Sequence, residues 1–439
     1  MAAHERLART RVNGYDERMT RLSIDADRLY ASLDALGAIG AYHDEPTGLT
    51  GVRRLALTAE DGAGRRHVVD AMRALGLAVT VDRIGNVYAR REGRDPRSKP
   101  VMMGSHIDSV ATAGRFDGCL GVLGGLEVVR TLNDARHVTR RPIVVAFFTE
   151  EEGARFSTDM LGSAVATKRI ALDRAWALTD RAGKSVKSEL EAIGFLGDAP
   201  VELDPPHAYV ECHVEQGPVL RAANVDIGVV TGVQAIAWHE LVITGRSAHA
   251  GTTPMELRRD PGMAAARIQL YLRAMVLSGR YTKQLRATVG VTQYSPGLVN
   301  VVPNRVQMTV DVRHPDDEVL KKALGELVPF YAKVAEEERV DVQHKVTART
   351  PNIAFAPRVQ ELVLKHAEGR GLSFKKIVSG AGHDAQEMAA VCPAGMVFVP
   401  GEYEGISHNP REFSTKVQCA NGVNVMLDVV TELAEEEGV

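Results

Sequence analysis

The chain is poor in the features that mark secreted, membrane and nucleic-acid-binding proteins. Its four cysteines, Cys119, Cys212, Cys392 and Cys419, stand far apart in 439 residues with no CxxC pair. No disulfide framework follows from them, and reduced thiols in a cytoplasmic protein are the expectation. No run reaches the ~18 apolar residues of a membrane span. Residues 1–30 are charged throughout, which rules out the apolar core of a signal peptide. Charge of one sign is lacking too: 53 Lys+Arg against 56 Asp+Glu leave −3. Neither nucleic acid nor an anionic membrane is therefore an expected partner. The glycine-rich Gly121/Gly124/Gly125 stretch lacks the GxGxxG and GxxxxGK[ST] orders of phosphate loops and suits close helix–sheet packing instead. Repeats and low-complexity segments are absent. What remains is 45% hydrophobic and 25% charged residues, an ordinary soluble composition, on a chain long enough for two domains.

The apolar patterning supports a two-part chain. Leu29, Leu33 and Leu36 have helical spacing within an amino-terminal stretch predicted helical to about Ala41. Val68, Met72 and Leu75 form the stripe of a second helix that Gly76 stops. The stretch from Leu77 to Arg91 reads as two strands around the Gly85-Asn86 turn. Val101–Met103 is a short apolar run, Ile143–Phe148 is a continuous one, as expected of a strand buried on both faces, and Tyr209–His213 reads as another short strand that ends in a polar cluster. Residues 164–193 read as mostly helical. From about Gly232 to Thr350 the order changes to strand (235–244), helix (261–276), strands (285–294 and 301–312), helix (317–338) and strand (340–347). That βαββαβ order is the ferredoxin-like split unit. A helix (359–368), strands near 374–378 and 395–400, and a final helix from Thr415 resume the first pattern. The expectation is an α/β protein: a mixed sheet flanked by helices, formed by residues 1–231 and 351–439, with an inserted domain at 232–350.

Polar residues cluster where these strands end. His106 and Asp108 follow the first buried run, Asp117 opens the glycine-rich helix, and Glu151 and Glu152 follow Ile143–Phe148. His213 ends a further run, and His408 follows the last strand. In open α/β sheets, ligands bind at the carboxyl ends of strands. Three histidines and two carboxylates suit Zn²⁺ or Mn²⁺, with Co²⁺ and Ni²⁺ also acceptable, better than an all-oxygen site. Two ions ~3.5–4 Å apart need a bridging carboxylate, and Asp117 is best placed to supply it. Asp108, two residues after His106 on an extended segment, is spaced to orient that imidazole. Glu151 and Glu152 diverge from one strand end, so one can bind metal while the other acts as general base, worth roughly 10²–10⁴-fold. Glu150 reads as a solvated or helix-capping acid. His249, in a loop after a strand of the inserted domain, could donate to an oxyanion.

The ordered segments GSHIDS, GRFDGCLGVL, EEGARF, HVEQGP, AHAGTTPM, GAGHDA and GISHNP resemble the hydantoinase/carbamoylase branch of the dinuclear aminoacylase-like metallohydrolases. That branch contains N-carbamoyl-L-amino-acid hydrolases, β-ureidopropionases and allantoate amidohydrolases, and the likeness runs from about Leu55 to Glu412. It implies a zinc-aminopeptidase-like fold with a lid that mediates homodimerisation, and two divalent ions per subunit. His106, Asp117 and His213 would hold one ion, Asp117, Glu152 and His408 the other, and Glu151 would be the base. His213 stands where related peptidases typically carry an acid. Gln216, His249, Asn300, Arg313 and His383 would bind substrate, with His249 reaching the partner's site. Arg313 also suits a carboxylate on physical grounds, because its planar fork grips two oxygens; pairing with Asp316 or Asp317 is the plainer alternative. For His383 and Asp384 the alternative is capping of the following helix. The implied activity is hydrolysis of the ureido C–N bond of N-carbamoyl L- or β-amino acids, with allantoate or another N-acyl amino acid as the alternative substrate.

Overall fold

The computed structural model describes residues 21–437, so the first part of the predicted amino-terminal helix lies outside the described residues. Within them, the helix Ala26–Gly37 buries Leu29, Leu33 and Leu36 as their spacing predicts. Among the described residues the central sheet has nine strands. Ala394–Val399, Ala208–Val214, Val101–His106 and Ile143–Phe148 lie side by side and parallel, in that order. Antiparallel neighbours flank them: Val87–Arg91 beyond Ile143–Phe148, and Ile227–Val233 beyond Ala394–Val399. The sheet is therefore mixed, with a parallel centre. Every residue of those four central strands is buried, which is why Ile143–Phe148 and Ala394–Val399 are continuous apolar runs rather than alternating ones. Parallel strands also end together, so His106, Phe148, Val214 and Val399 come to one edge.

The glycine-rich helix Cys119–Asp134 packs directly on this sheet. A Cβ on Gly121 would lie 2.8 Å from the Cys212 carbonyl oxygen, and one on Gly125 would lie 3.1 Å from Val145 Cγ1. Those glycines serve contact between helix and sheet, as their spacing suggested. The helix Lys416–Glu435 starts from a reciprocal Thr415/Gln418 capping box and packs against both that helix and the sheet. All four cysteines are free and buried. Among the described residues no helix is long and apolar enough to cross a membrane.

A second sheet runs Arg286–Thr288, Arg305–His314, Ala235–Thr244, Asp341–Thr350 in space, all antiparallel, with Thr292–Ser295 also on Arg305–His314. Helices Pro261–Leu277 and Asp317–Glu338 supply Ile268, Leu272, Leu327 and Tyr331 to its own core, beside Ala237, Leu241 and Val310. This is the ferredoxin-like arrangement. Two expected strands are broken, however. The 285–294 stretch divides around Gly290, and the 301–312 stretch divides at Pro303, which has no N–H to give a ladder. The freed pair Val301–Val302 joins Ala248–His249 in a separate short ladder. Ile227–Val233 is a main-sheet strand that the sequence reading did not place.

Candidate metal centre

Each candidate side chain sits where the sheet gives way to a loop. His106 is the last residue of its strand, His213 the last but one, and Glu151 and Glu152 follow the end of Ile143–Phe148. Asp117 lies two residues ahead of the helix Cys119–Asp134.

Asp117 is the meeting point. Its Oδ1 lies 3.2 Å from His213 Nε2 and 3.6 Å from His106 Nε2. Its Oδ2 lies 3.4 Å from His408 Nε2, which is 3.1 Å from Glu152 Oε2. Two groups able to hold a metal ion thus share one carboxylate: His106–Asp117–His213, fully buried, and Asp117–Glu152–His408, with the His408 side chain 49% exposed. Ligand atoms 2.0–2.2 Å from a tetrahedral ion lie about 3.4 Å from one another. The separations here bracket that value.

The imidazoles are preset. His106 Nδ1 lies 3.0 Å from the Asp108 carbonyl oxygen and His213 Nδ1 lies 2.9 Å from that of Val214. A ring nitrogen facing a carbonyl carries the proton, which leaves the Nε2 lone pair of each turned toward Asp117. Gly118 N–H donates to His213 Nε2 at 3.0 Å, in keeping with that tautomer. The expected role of the Asp108 side chain is corrected here. Its carboxylate is 3.9 Å from His106 Nδ1, beyond hydrogen-bonding range, because the strand ends at His106 and the chain turns. Its main-chain carbonyl orients the ring instead. The Asp108 carboxylate accepts from the N–H groups of Glu151 and Glu152, at 3.4 Å each. Glu150 is likewise neither solvated nor a cap. It is buried in a left-handed conformation (φ 53°), and its Oε1 accepts the N–H groups of Arg155 and Phe156. Burial pushes its pKa up to about 8.

Electrostatically the cluster has more carboxylate than its histidines neutralise. Burial, then the charges of Asp384, Glu152 and Asp117, outweighs nearby His106 and raises Glu151 well above the usual carboxylate range. Burial alone would raise Asp117, but the three histidines whose Nε2 atoms face it hold it well below that range. Burial opposes the charge on His408, yet Asp117 and Glu152 push its pKa up to about 11. Among the described residues Asp384 Oδ2 and Glu150 Oε2 find no partner, though both are buried. A cation-seeking pocket of N and O donors is what these observations describe, and the residues fit divalent transition ions.

Beside the clusters lies a cavity of ≈ 100 Å³, whose walls include Glu151, Glu152, Gln216, Arg313, His383 and His408. Gln216, held in a left-handed conformation (φ 56°), donates from Nε2 to Asp117 Oδ2 at 2.8 Å, so it holds the shared acid. Arg313 pairs with Asp311, two residues back on the same strand face, and not with Asp316 or Asp317. Its Nη1 donates to the Gly380 carbonyl at 3.0 Å. His383 makes no side-chain cap to the following helix; its Nε2 meets Ser379 Oγ at 2.9 Å and its ring lies 4.5 Å from that of His213. Burial and His213 keep it neutral. His249 and Asn300 do not line this cavity. Both are exposed and lie together at the short ladder, where His249 Nδ1 accepts from Gly251 and Thr252 and the Asn300 carbonyl accepts from Ala250.

Contributors that escaped the sequence reading include Asp159, Ile236 and Trp238 in the cavity wall, and Ser407 and Glu412 around Asp117. Ile236 and Trp238 alternate with core-facing Ala235 and Ala237, a period-2 pattern that would have revealed them. Ile236 lies opposite Arg313, and Trp238 opposite Asp311.

A mixed α/β sheet with joined His–carboxylate clusters at its carboxyl edge, compatible with divalent metal ions, defines a class of hydrolases. The chain belongs to peptidase family M20/M25/M40, whose profile matches residues 102–432. It is 42% identical over 414 residues to an N-carbamoyl-L-amino-acid amidohydrolase of Rhizobium meliloti, covering 94% of this chain and 97% of that one. A ureidoglycolate hydrolase of Arabidopsis thaliana is 31% identical over 94% of this chain and 87% of its own. The crystal structure of an amidase of the hydantoinase/carbamoylase family from Burkholderia vietnamiensis has a TM-score of 0.89 to this chain. The two are 43% identical over 94% of this chain and 98% of that one.

Proposed function

We propose that this chain is an N-carbamoyl-amino-acid amidohydrolase that converts the substrate and one water to the amino acid, carbon dioxide and ammonia. The observation that carries the reading is Asp117, whose two oxygens each face a separate histidine-containing group. His106, Asp117 and His213 would hold one divalent ion and Asp117, Glu152 and His408 a second. When bound, such ions supply polarisation of the ureido carbonyl and acidification of water.

The remaining work falls to the chain's own side chains. Glu151, in the cavity wall, takes the proton of the attacking water and returns it to the departing nitrogen. Arg313 grips the substrate carboxylate. Asp311 occupies Nε and one Nη2 proton, and Gly380 takes one from Nη1, which leaves one N–H on each terminal nitrogen as a two-pronged donor. Ile236 and Trp238 form an apolar wall beside it, suited to an apolar substrate side chain.

His249 and Asn300 fit this reading through a second copy of the chain. Met263, Leu270 and Leu277, spaced by seven on the helix Pro261–Leu277, are exposed apolar residues on one face. Such a stripe supports a homodimer through the inserted domain, in which His249 reaches the partner's cavity and donates to the developing oxyanion.

The test is release of ammonia and free amine from N-carbamoyl-L-amino acids, N-carbamoyl-β-alanine, allantoate, ureidoglycolate and N-acetyl amino acids. Preference for the carbamoyl amino acids is expected. Preference for ureidoglycolate would transfer the assignment to the reading that the Arabidopsis relative favours, and preference for allantoate would make the chain an allantoate amidohydrolase. Glu151→Gln is expected to lower turnover at least 10²-fold with metal content kept; normal turnover removes Glu151 as the base.

A further inference from the structure

Three consecutive main-chain N–H groups suspend the turn that carries Asp117. Gly118 donates to His213 Nε2, while Phe116 and Asp117 both donate to Glu412 Oε1, at 3.0 and 3.1 Å. Glu412 is 6% exposed. Its other oxygen lies 2.5 Å from Ser407 Oγ, and that hydroxyl is also 3.0 Å from Asp117 Oδ2. Ser407 immediately precedes His408. One carboxylate therefore fixes the turn bearing the shared acid at one end and the segment bearing the exposed histidine at the other. The side chain has little room to move, since a Cβ on Gly114 would come 2.5 Å from Glu412 Cβ.

The two ion-holding groups depend on this carboxylate unequally. His106 and His213 are buried and have Nδ1 anchored on main-chain carbonyls, so their aim is set without Glu412. His408 is half exposed and held in a left-handed backbone conformation, φ 55°. Its segment is tied to Asp117 through Ser407, and Ser407 is tied to Glu412.

We infer that Glu412 is a positioning residue for the Asp117–Glu152–His408 group, holding the shared acid and the His408 segment at the separation that lets this group take a divalent ion. The inference rests on the reading above that these three residues hold an ion. Glu412 touches neither ion nor substrate. A purely structural acid in the same place would affect folding and both ion-holding groups alike.

The deciding experiment strips the full-length protein of metal, then measures Mn²⁺ and Zn²⁺ uptake by equilibrium dialysis and calorimetry. The wild type is compared with Glu412→Ala, Glu412→Gln and Ser407→Ala. Wild type is expected to take up two ions. Glu412→Ala should keep one and bind the other at least tenfold more weakly, within the 10–100-fold range seen when groups supporting a ligand are removed. Glu412→Gln should recover most of the loss, because its amide oxygen accepts the same two N–H groups and its amide nitrogen donates to Ser407. A folded Glu412→Ala protein that binds both ions as wild type overturns the inference, as does equal loss of both ions without rescue by glutamine. Should Glu412→Ala fail to fold, Ser407→Ala decides: weaker uptake of the second ion supports the role, and unchanged uptake overturns it. A wild-type protein that takes up no divalent ion overturns the metal reading itself, before any variant is compared.

Discussion

Gly118→Ala puts the geometry of the buried group under direct strain. Gly118 has φ 64° and ψ −45°, and a Cβ there would lie 2.5 Å from Cδ2, Cε1 and Nε2 of His106. Non-bonded carbons settle at about 3.5–4.0 Å, so the ring must retreat by ~1 Å. It has nowhere to go, since His106 is 1% exposed and its Nδ1 is committed to the Asp108 carbonyl. Metal–ligand distances tolerate only about ±0.2 Å, so a ~1 Å displacement takes Nε2 out of bonding range. The backbone adds a cost of about 1–3 kcal/mol for a non-glycine residue at this positive φ. The expected result is a folded but less stable protein whose affinity for one ion falls at least tenfold, about 1.4 kcal/mol. Calorimetric titration of the metal-stripped protein measures the affinity, and thermal melting without metal measures the stability. Gly124→Ala is the control. Its Cβ would lie 2.7 Å from Val423 Cγ2, nearly as tight, on the helix that Gly118 precedes but away from His106. It should lower stability and leave ion affinity alone. Wild-type affinity in Gly118→Ala, or an equal loss in Gly124→Ala, refutes the reasoning.

Other consequences are open to simpler measurements. Arg313→Ala should raise KM for carboxylate-bearing substrates at least tenfold with a smaller change in kcat; an unchanged KM would leave Arg313 as a partner of Asp311 and Gly380 only. Leu270→Asp, in the centre of the exposed Met263–Leu277 stripe, should shift the protein to monomer by light scattering and lower turnover through loss of His249 from the partner's cavity; an unchanged mass places the interface elsewhere. His239, buried beside His344 and Tyr331, has its pKa pushed down to about 4 by burial and by His344. The folded protein therefore keeps it neutral, while the unfolded chain takes up a proton near pH 6.5. The stability this contributes is fully present above about pH 6.5 and is lost as pH falls toward 4. Thermal melts across that window should fall more steeply for wild type than for His239→Asn, and parallel curves would count against the buried neutral imidazole.

Much of this was legible in the sequence because burial on both faces leaves a plain mark. Ile143–Phe148 and Val101–Met103 read as strands for that reason, and their ends pointed to His106, Glu151 and Glu152. The interrupted strands were less legible, since apolar content runs through Gly290 and Pro303 while hydrogen bonding does not. Asp108 shows a further limit. Spacing put an acid near an imidazole, but a turn after His106 exchanged the roles of its side chain and its carbonyl. Glu412 was invisible for a different reason. Besides the Ser407 hydroxyl, its partners are main-chain N–H groups, which every residue but proline possesses, so no residue pattern announces them.

The suspended turn around Asp117 also bears on how the protein acquires its site. Its three N–H groups end on His213 and Glu412, and its carboxylate faces His106 on one side and His408 on the other. No short stretch of chain contains even one complete ligand group, and closing either requires both ends of a loop of about a hundred residues or more. Such long-range closure is slow, and in the unfolded chain there is nothing preformed for an ion to select. Ions held at Asp117 would therefore favour the folded state almost without competition from the unfolded one, stabilising it by the full mass-action term, about 2.7 kcal/mol at a hundredfold excess over Kd. The centre would then serve as a clasp between distant parts of the chain as much as a reaction site, and starving the protein of metal would cost it persistence as well as activity.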